Sequence, residues 1–322
     1  MLVTYAQAIN DAMKEEMQRD ERVVVFGEDV AQHGGIFGLT RGLYEKFGPE
    51  RVKNSPVSEN SIVGVGIGAA IEGLRPCIEI MYVDFTLVAF NELFQSAAKW
   101  RYLHGPEYTV PLVVRAAGGS AFGAGAEHSN CFESLFMHSP GLTIITPSSA
   151  YDAKGLLKSA IRSDNPVLFF EHKQLYQVKE EIPDEEYLVP IGVADVKRSG
   201  KDVTIIAVGL MVKKALEAAE KLKDEGIDAE VIDPRTIAPF DKDTVFESIR
   251  KTHRAVVVEE SNKTAGLGAE IAAMIQEELY DELDGPVVRV AALDVPLPYN
   301  VAFELASIPN AEKIIDAVKS LF

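Results

Sequence analysis

The chain has 322 residues, 47% hydrophobic and 25% charged, enough for about two core-bearing domains. A formal net charge of −17 with no cluster of Lys and Arg excludes a nucleic-acid partner, because phosphate backbones are bound by concentrated positive charge. Two cysteines, Cys77 and Cys131, are too few for a disulfide framework or a cysteine-rich metal site, and the longest apolar run, Ile62 to Ile71, falls well short of the ~18 residues that span a bilayer.

In chain order, Met1 to Ala6 lacks the basic-then-apolar pattern of an export signal, so a cytoplasmic protein without membrane attachment is expected. Thr4 can cap a helix from Tyr5 to Arg19, and Arg22 to Gly27 is a short buried-strand pattern ended by glycine. A loop at Gly34 to Gly38 follows, then a helix after Glu59, a strand at Cys77 to Met81 and a helix from Val88 to Tyr102. Pro111 to Arg115 reads as the next strand. The small-residue loop Gly118 to Gly125 then leads to a helix near Ser129 to Met137, which puts His128 at a helix start. Strand Thr143 to Thr146, helix Tyr151 to Arg162 and strand Pro166 to Phe170 complete the first half. Between about Lys179 and Gly200 the alternation breaks into an acidic, proline-containing stretch, read as a linker. Strands at Val203 to Val208, Ala229 to Ile232 and Ala255 to Glu259, with a helix from Met211 to Glu225, make the second domain α/β as well. The expected fold class is therefore α/β, with two domains of mostly parallel sheet flanked by helices: residues 1–185, a linker at 186–200, and residues 201–322.

Glu59 invites a chemical reading. It is a carboxylate in Asn54-Ser55-Pro56-Val57-Ser58-Glu59-Asn60, directly ahead of a glycine-laced helix. An acid there can present one carboxylate to a bound ring, or do no more than meet the positive end of the helix dipole. Gly64-Val65-Gly66-Ile67-Gly68-Ala69, with Asp84 beyond it, imitates a nicotinamide-dinucleotide fingerprint. That motif needs a strand immediately before its first glycine, and the polar turn Pro56 to Ser61 is not one. Phe85, after Tyr82-Val83-Asp84, is either core or a platform for something flat. His128, in Glu127-His128-Ser129, is either a capping-region surface histidine or an imidazole poised near neutral pH. No His-x-x-x-His, Cys-x-x-Cys, Walker loop or Gly-x-Ser-x-Gly frame is present.

Several short motifs recur together: Gly27-Glu28-Asp29-Val30, Ser58-Glu59-Asn60, Gly73-Leu74-Arg75-Pro76, Asp84-Phe85, Glu127-His128-Ser129, Pro140-Gly141-Leu142, Asp152 to Leu157 and Asp233-Pro234-Arg235-Thr236-Ile237. In this order, over essentially the whole chain, they resemble the β subunits of thiamine-diphosphate-dependent 2-oxo acid dehydrogenases, relatives of transketolase and of the acetoin dehydrogenase β subunit. The resemblance implies a transketolase-like pyrimidine-binding domain followed by a transketolase C-terminal-like domain. It implies that Glu59 bonds a ring nitrogen of the cofactor's aminopyrimidine and promotes proton removal from the thiazolium carbon. Phe85 would stack on that pyrimidine, Met81 and Val57 would line the same pocket, and His128 would contact substrate.

The chain contains no Gly-Asp-Gly, the segment with which thiamine enzymes hold the diphosphate through Mg2+. The resemblance therefore implies an α subunit that supplies that half of the site in an α2β2 assembly, together with docking to a lipoyl acyltransferase core. It further implies a K+ ion on backbone oxygens at positions matching Leu112, Ala160, Ile161, Ser163 and Asn165, where Ser163 departs from the usual Asp. The implied reaction is decarboxylation of a 2-oxo acid, pyruvate or branched-chain, with acyl transfer to lipoyl-lysine. Acetoin dehydrogenase chemistry is the near alternative and a nicotinamide oxidoreductase the distant one.

Overall fold

A computed structural model describes residues Met1–Phe322. The chain falls into two compact units: Met1–Gly118 with Leu135–Ile191, and Gly119–Ser134 with Gly192–Phe322. The loop around His128, inside the 1–185 span of the sequence division, thus clusters with the second unit.

The first unit opens with β1 (Leu2–Thr4) and α1 (Tyr5–Arg19), whose first turn is capped by Thr4 accepting from the Gln7 N–H at 3.1 Å. Next come β2 (Val23–Gly27), α2 (Leu43–Phe47), β3 (Val52–Asn54), α3 (Glu59–Ile71), β4 (Arg75–Tyr82), α4 (Ala98–His104) and β5 (Val113–Gly118). Helix α5 (Glu133–Met137), β6 (Thr143–Ile145), α6 (Ala150–Arg162), β7 (Val167–His172) and β8 (Lys179–Glu181) follow. The strands lie in the order β6-β7-β5-β4-β2-β3, and each of these pairings is parallel. Strand β5 is buried at every position, as expected of a parallel strand covered on both faces. Helix α1 buries Tyr5, Ala8, Ile9, Ala12, Met13 and Met17 at helical spacing and packs on α6. At that contact the buried amines of Lys154 and Lys158 pair with Glu15 at 2.7 and 2.8 Å, which helps hold the Glu15 carboxyl below its ordinary range against the effect of burial.

The segment read as one helix from Val88 to Tyr102 holds a wider π-helical stretch, Glu92–Ala97, before α4. Part of the expected linker is also regular structure. Strand β8 pairs antiparallel with β1, and β9 (Asp195–Arg198) joins the second sheet. Three-residue strands such as β1 and β8 are too short to carry a readable alternation, and their pairing joins segments about 180 residues apart.

The second unit continues with β10 (Val203–Ala207), α7 (Leu210–Asp224), β11 (Ala229–Asp233), β12 (Thr236–Ala238), α8 (Lys242–Thr252) and β13 (Ala255–Asn262). It ends with α9 (Leu267–Leu279), β14 (Val288–Ala292), α10 (Val301–Ser307) and α11 (Ala311–Lys319). Its sheet runs β14-β13-β10-β11-β9, parallel except for the β9 edge. Strands β10 and β11 are buried throughout, each Val or Ile contributing about 1.5–3 kcal/mol of hydrophobic stabilisation. No helix of the chain is long and apolar enough to cross a membrane.

Candidate active site

Strand β2 has β3 on one side and β4 on the other, so the connections diverge at its carboxyl end. Open parallel sheets bind ligands in the crevice beyond such a switch point. Glu28 and Asp29 leave β2 there, and Val57 and Glu59 follow the end of β3. On β4, Met81 is the penultimate residue, and Phe85 lies in the 3-10 turn Val83–Leu87 just after it. The loops are tied to each other: Ser55 donates its N–H to the Gly27 carbonyl at 2.8 Å, and Ala31 donates to Asn54 Oδ1 at 2.8 Å. Gly27 also lets β2 lie close against β4, since a Cβ there would sit 2.5 Å from the Glu79 carbonyl oxygen.

Glu59 is the first residue of α3 and is only 6% exposed, so its carboxylate meets the helix N-terminus out of water. Within α3, Gly66 lets the helix approach the sheet, its absent Cβ lying 3.0 Å from Leu112 Cδ1, whereas Gly64 and Gly68 face open space. These glycines sit inside a helix, not in a strand-to-helix turn, so no phosphate cradle forms from them.

The sequence reading missed Glu28, a second carboxylate beside Glu59. It is 6% exposed, and its carboxyl is pushed up first by burial and then by the charge of Glu59, against the opposing Ser58 N–H bond. Its Oε1 atom has no hydrogen-bond partner. The row continues inward to Glu79, whose carboxyl is raised chiefly by burial and in smaller part by Glu171 and Glu28, and which pairs with the fully buried Arg115 at 3.0 Å. The readable signal was Gly-Glu-Asp at a strand end; what hid it is that Glu28 and Glu59 meet only once β2 and β3 are paired.

A carboxyl raised in the fold contributes stability below its unfolded value and loses it as pH climbs through the folded value. Glu28→Gln removes that loss. Its melting temperature is expected to match the unaltered chain near about pH 5 and to exceed it by roughly 1–3 °C at about pH 8. Thermal scans across this range check it, and a gap that narrows with rising pH contradicts the assignment.

Met81 and Phe85 are half-buried, with the Phe85 ring edge-on to Tyr82 at 5.7 Å, whereas Val57 is 78% exposed. His128 is not at a helix start: α5 begins only at Glu133, and His128 stands in an irregular loop of the second unit. Helix formation is pre-empted there. Gly119, Gly123 and Gly125 adopt positive φ, Gly119 donates to the Asn130 carbonyl, and the Asn130 side chain bonds the Ala126 carbonyl at 2.6 Å. Ser129, Asn130 and Cys131 of this loop help line a cavity of about 640 Å³ with Glu260, Asn262 and Asp294.

The five candidate K+ positions lie just before β5 and around the end of α6. The Arg75 guanidinium donates to the carbonyls of Ile161 and Ser163, both at 3.0 Å, and the Leu112 carbonyl accepts from Val167 at 2.8 Å. Two of the five carbonyls therefore accept from the Arg75 guanidinium.

A family model of the transketolase pyrimidine-binding domain matches residues 2–179, and one of the transketolase C-terminal domain matches residues 192–314. The pyruvate dehydrogenase E1 component subunit beta of Porphyra purpurea is 48% identical, over 98% of this chain and 95% of that one. The 2-oxoisovalerate dehydrogenase subunit beta of Bacillus subtilis (strain 168) is 47% identical, over 99% and 98%. The chain belongs to the β-subunit family of the 2-oxo acid dehydrogenases. An acetoin:2,6-dichlorophenolindophenol oxidoreductase subunit beta, also of Bacillus subtilis, is 41% identical over 99% of this chain and 97% of its own. Among solved structures, a split-gene transketolase described as an inactive β4 tetramer matches with a TM-score of 0.81 and 27% identity, over 99% of this chain and 98% of that one. The first unit of this family member therefore carries a pyrimidine-binding fold, and Glu59 lies within the matched span.

Proposed function

We propose that the chain is the β subunit of a thiamine-diphosphate-dependent 2-oxo acid dehydrogenase that decarboxylates pyruvate or a branched-chain 2-oxo acid and passes the acyl group to a lipoyl-lysine. The observation that carries this reading is the buried Glu59 carboxylate at the N-terminus of α3, with the raised Glu28 carboxyl beside it at the switch point. These residues fit a protonatable ring, because two neighbouring buried carboxyls, one with an unpartnered oxygen, favour holding a proton between themselves and a basic nitrogen. When bound, thiamine diphosphate supplies a carbon nucleophile and the electron sink for loss of the carboxylate.

Glu59 holds the proton at the pyrimidine nitrogen, and burial keeps water from competing for it. Glu28 sets how readily that proton is shared. Phe85 offers a ring face, Met81 and Val57 form pocket wall, and His128 is the imidazole for substrate. The diphosphate and Mg2+ fall to an α partner with a Gly-Asp-Gly segment, in an α2β2 assembly that docks on a lipoyl acyltransferase core in the cytoplasm. The exposed Val57 and Val65 beside the open Gly64 and Gly68 support a partner covering this face of α3. A K+ ion would be held by backbone oxygens at Leu112, Ala160, Ile161, Ser163 and Asn165, and no step is routed through it.

Titration calorimetry with thiamine diphosphate and Mg2+ is expected to show binding only when the chain is mixed with such an α subunit. Dye-coupled turnover of the reconstituted pair should be highest on pyruvate or a branched-chain 2-oxo acid. Turnover of acetoin alone would move the reading to the neighbouring activity, and NADH binding by the isolated chain would overturn it.

A further inference from the structure

The loop that carries His128 is held by a segment far along the chain. Tyr299 donates its hydroxyl to Glu127 Oε1, one residue from His128. Its ring lies against Gly125, where a Cβ would come within 2.2 Å of Tyr299 Cε1, and its carbonyl oxygen lies 2.1 Å from where a Gly123 Cβ would stand. The Gly123 N–H is accepted by Glu304 at 3.0 Å, a carboxylate only 1% exposed. The arm bearing Tyr299 is itself stiff, because the next residue, Asn300, caps α10 by accepting from the N–H groups of Ala302 and Phe303.

We propose that Tyr299 is a positioning residue for His128, its hydroxyl on Glu127 and its ring over Gly125 fixing the backbone from which the imidazole projects. The proposal rests on the reading of His128 as the substrate-facing imidazole. Two glycines at positive φ are shaped to one tyrosine, which a solvated surface contact does not require. Tyr299 is 63% exposed, so the contact contributes little to stability. The Tyr299 hydroxyl in turn holds the Glu127 carboxyl below its ordinary range. Catalytic geometry is sensitive to displacements of about 1 Å, so a loop released from this clasp loses rate before it loses fold.

The test uses the chain reconstituted with its α partner. Y299F keeps the ring and loses only the hydroxyl, and it is expected to lower kcat roughly 10-fold with little change in KM and a melting temperature within about 2 °C. H128Q is expected to lower kcat about 100-fold or more, and the double variant should be no worse than H128Q alone, because Tyr299 acts through His128. Losses that multiply, or a Y299F enzyme with unaltered kcat beside an impaired H128Q, overturn the positioning role and leave the reading of His128 intact. An H128Q enzyme with unaltered kcat overturns that reading and the positioning role with it. A readout apart from activity is amide hydrogen exchange: Y299A should speed exchange over residues 123–130 at least about 10-fold, and unaltered exchange refutes the clasp.

Discussion

Glu59→Gln in the reconstituted enzyme is expected to lower kcat about 10²–10⁴-fold, the range for losing a positioned acid–base group. Gln fills the same volume at the start of α3 and still offers a hydrogen bond, but it cannot give up or take back a proton. The loss should therefore fall on turnover, with melting temperature held or slightly raised, because the charge that pushes up Glu28 is gone. The decisive measurement is deuterium exchange at the cofactor's thiazolium carbon, which should slow in parallel with kcat. An unaltered exchange rate would remove Glu59 from proton handling and return it to an ordinary partner of the helix dipole.

Arg115→Met has the largest expected effect on the fold. The guanidinium is 1% exposed and donates to Glu171 at 2.7 Å and to Glu79 at 3.0 Å, while the Tyr176 hydroxyl bonds the other Glu171 oxygen at 2.7 Å. Without it, two carboxyls stay buried with no countercharge, a change that costs about 3–5 kcal/mol. Burial already pushes the Glu79 carboxyl up with Arg115 in place, so much of that cost should appear as proton uptake. Urea denaturation at neutral pH should show the loss, and it should shrink as pH falls and the carboxyls protonate. Adding Glu79→Gln and Glu171→Gln should recover most of it. A stable single variant would show that the row is solvated.

Much of this was legible in the chain. Helix α1 announces itself through Thr4 and its periodic apolar face, and β5, β10 and β13 through short runs rich in Val, Ile and Ala. Glu59 was legible because Pro56 and Ser58 mark a turn and a glycine-laced helix follows. Glu28 was not, since its meaning depends on β2 and β3 lying side by side, a pairing that no local pattern encodes. The helix start expected at His128 is absent because the loop is held by bonds from Gly119, Asn130 and Glu304, partners that no local pattern reveals. The two carbonyls that Arg75 holds were equally hidden, because Arg75 lies 86 and 88 positions from them.

The polypeptide enters the second unit twice, at Gly119 and again at Gly192. No single cut therefore divides the two units, and a chimera joined within 186–200 would seat one parent's His128 loop against the other parent's Tyr299 and Glu304. For recombination among relatives, residues 119–134 and 192–322 form one heritable cassette, and substitutions at Gly123, Gly125 and Tyr299 are free to change only together.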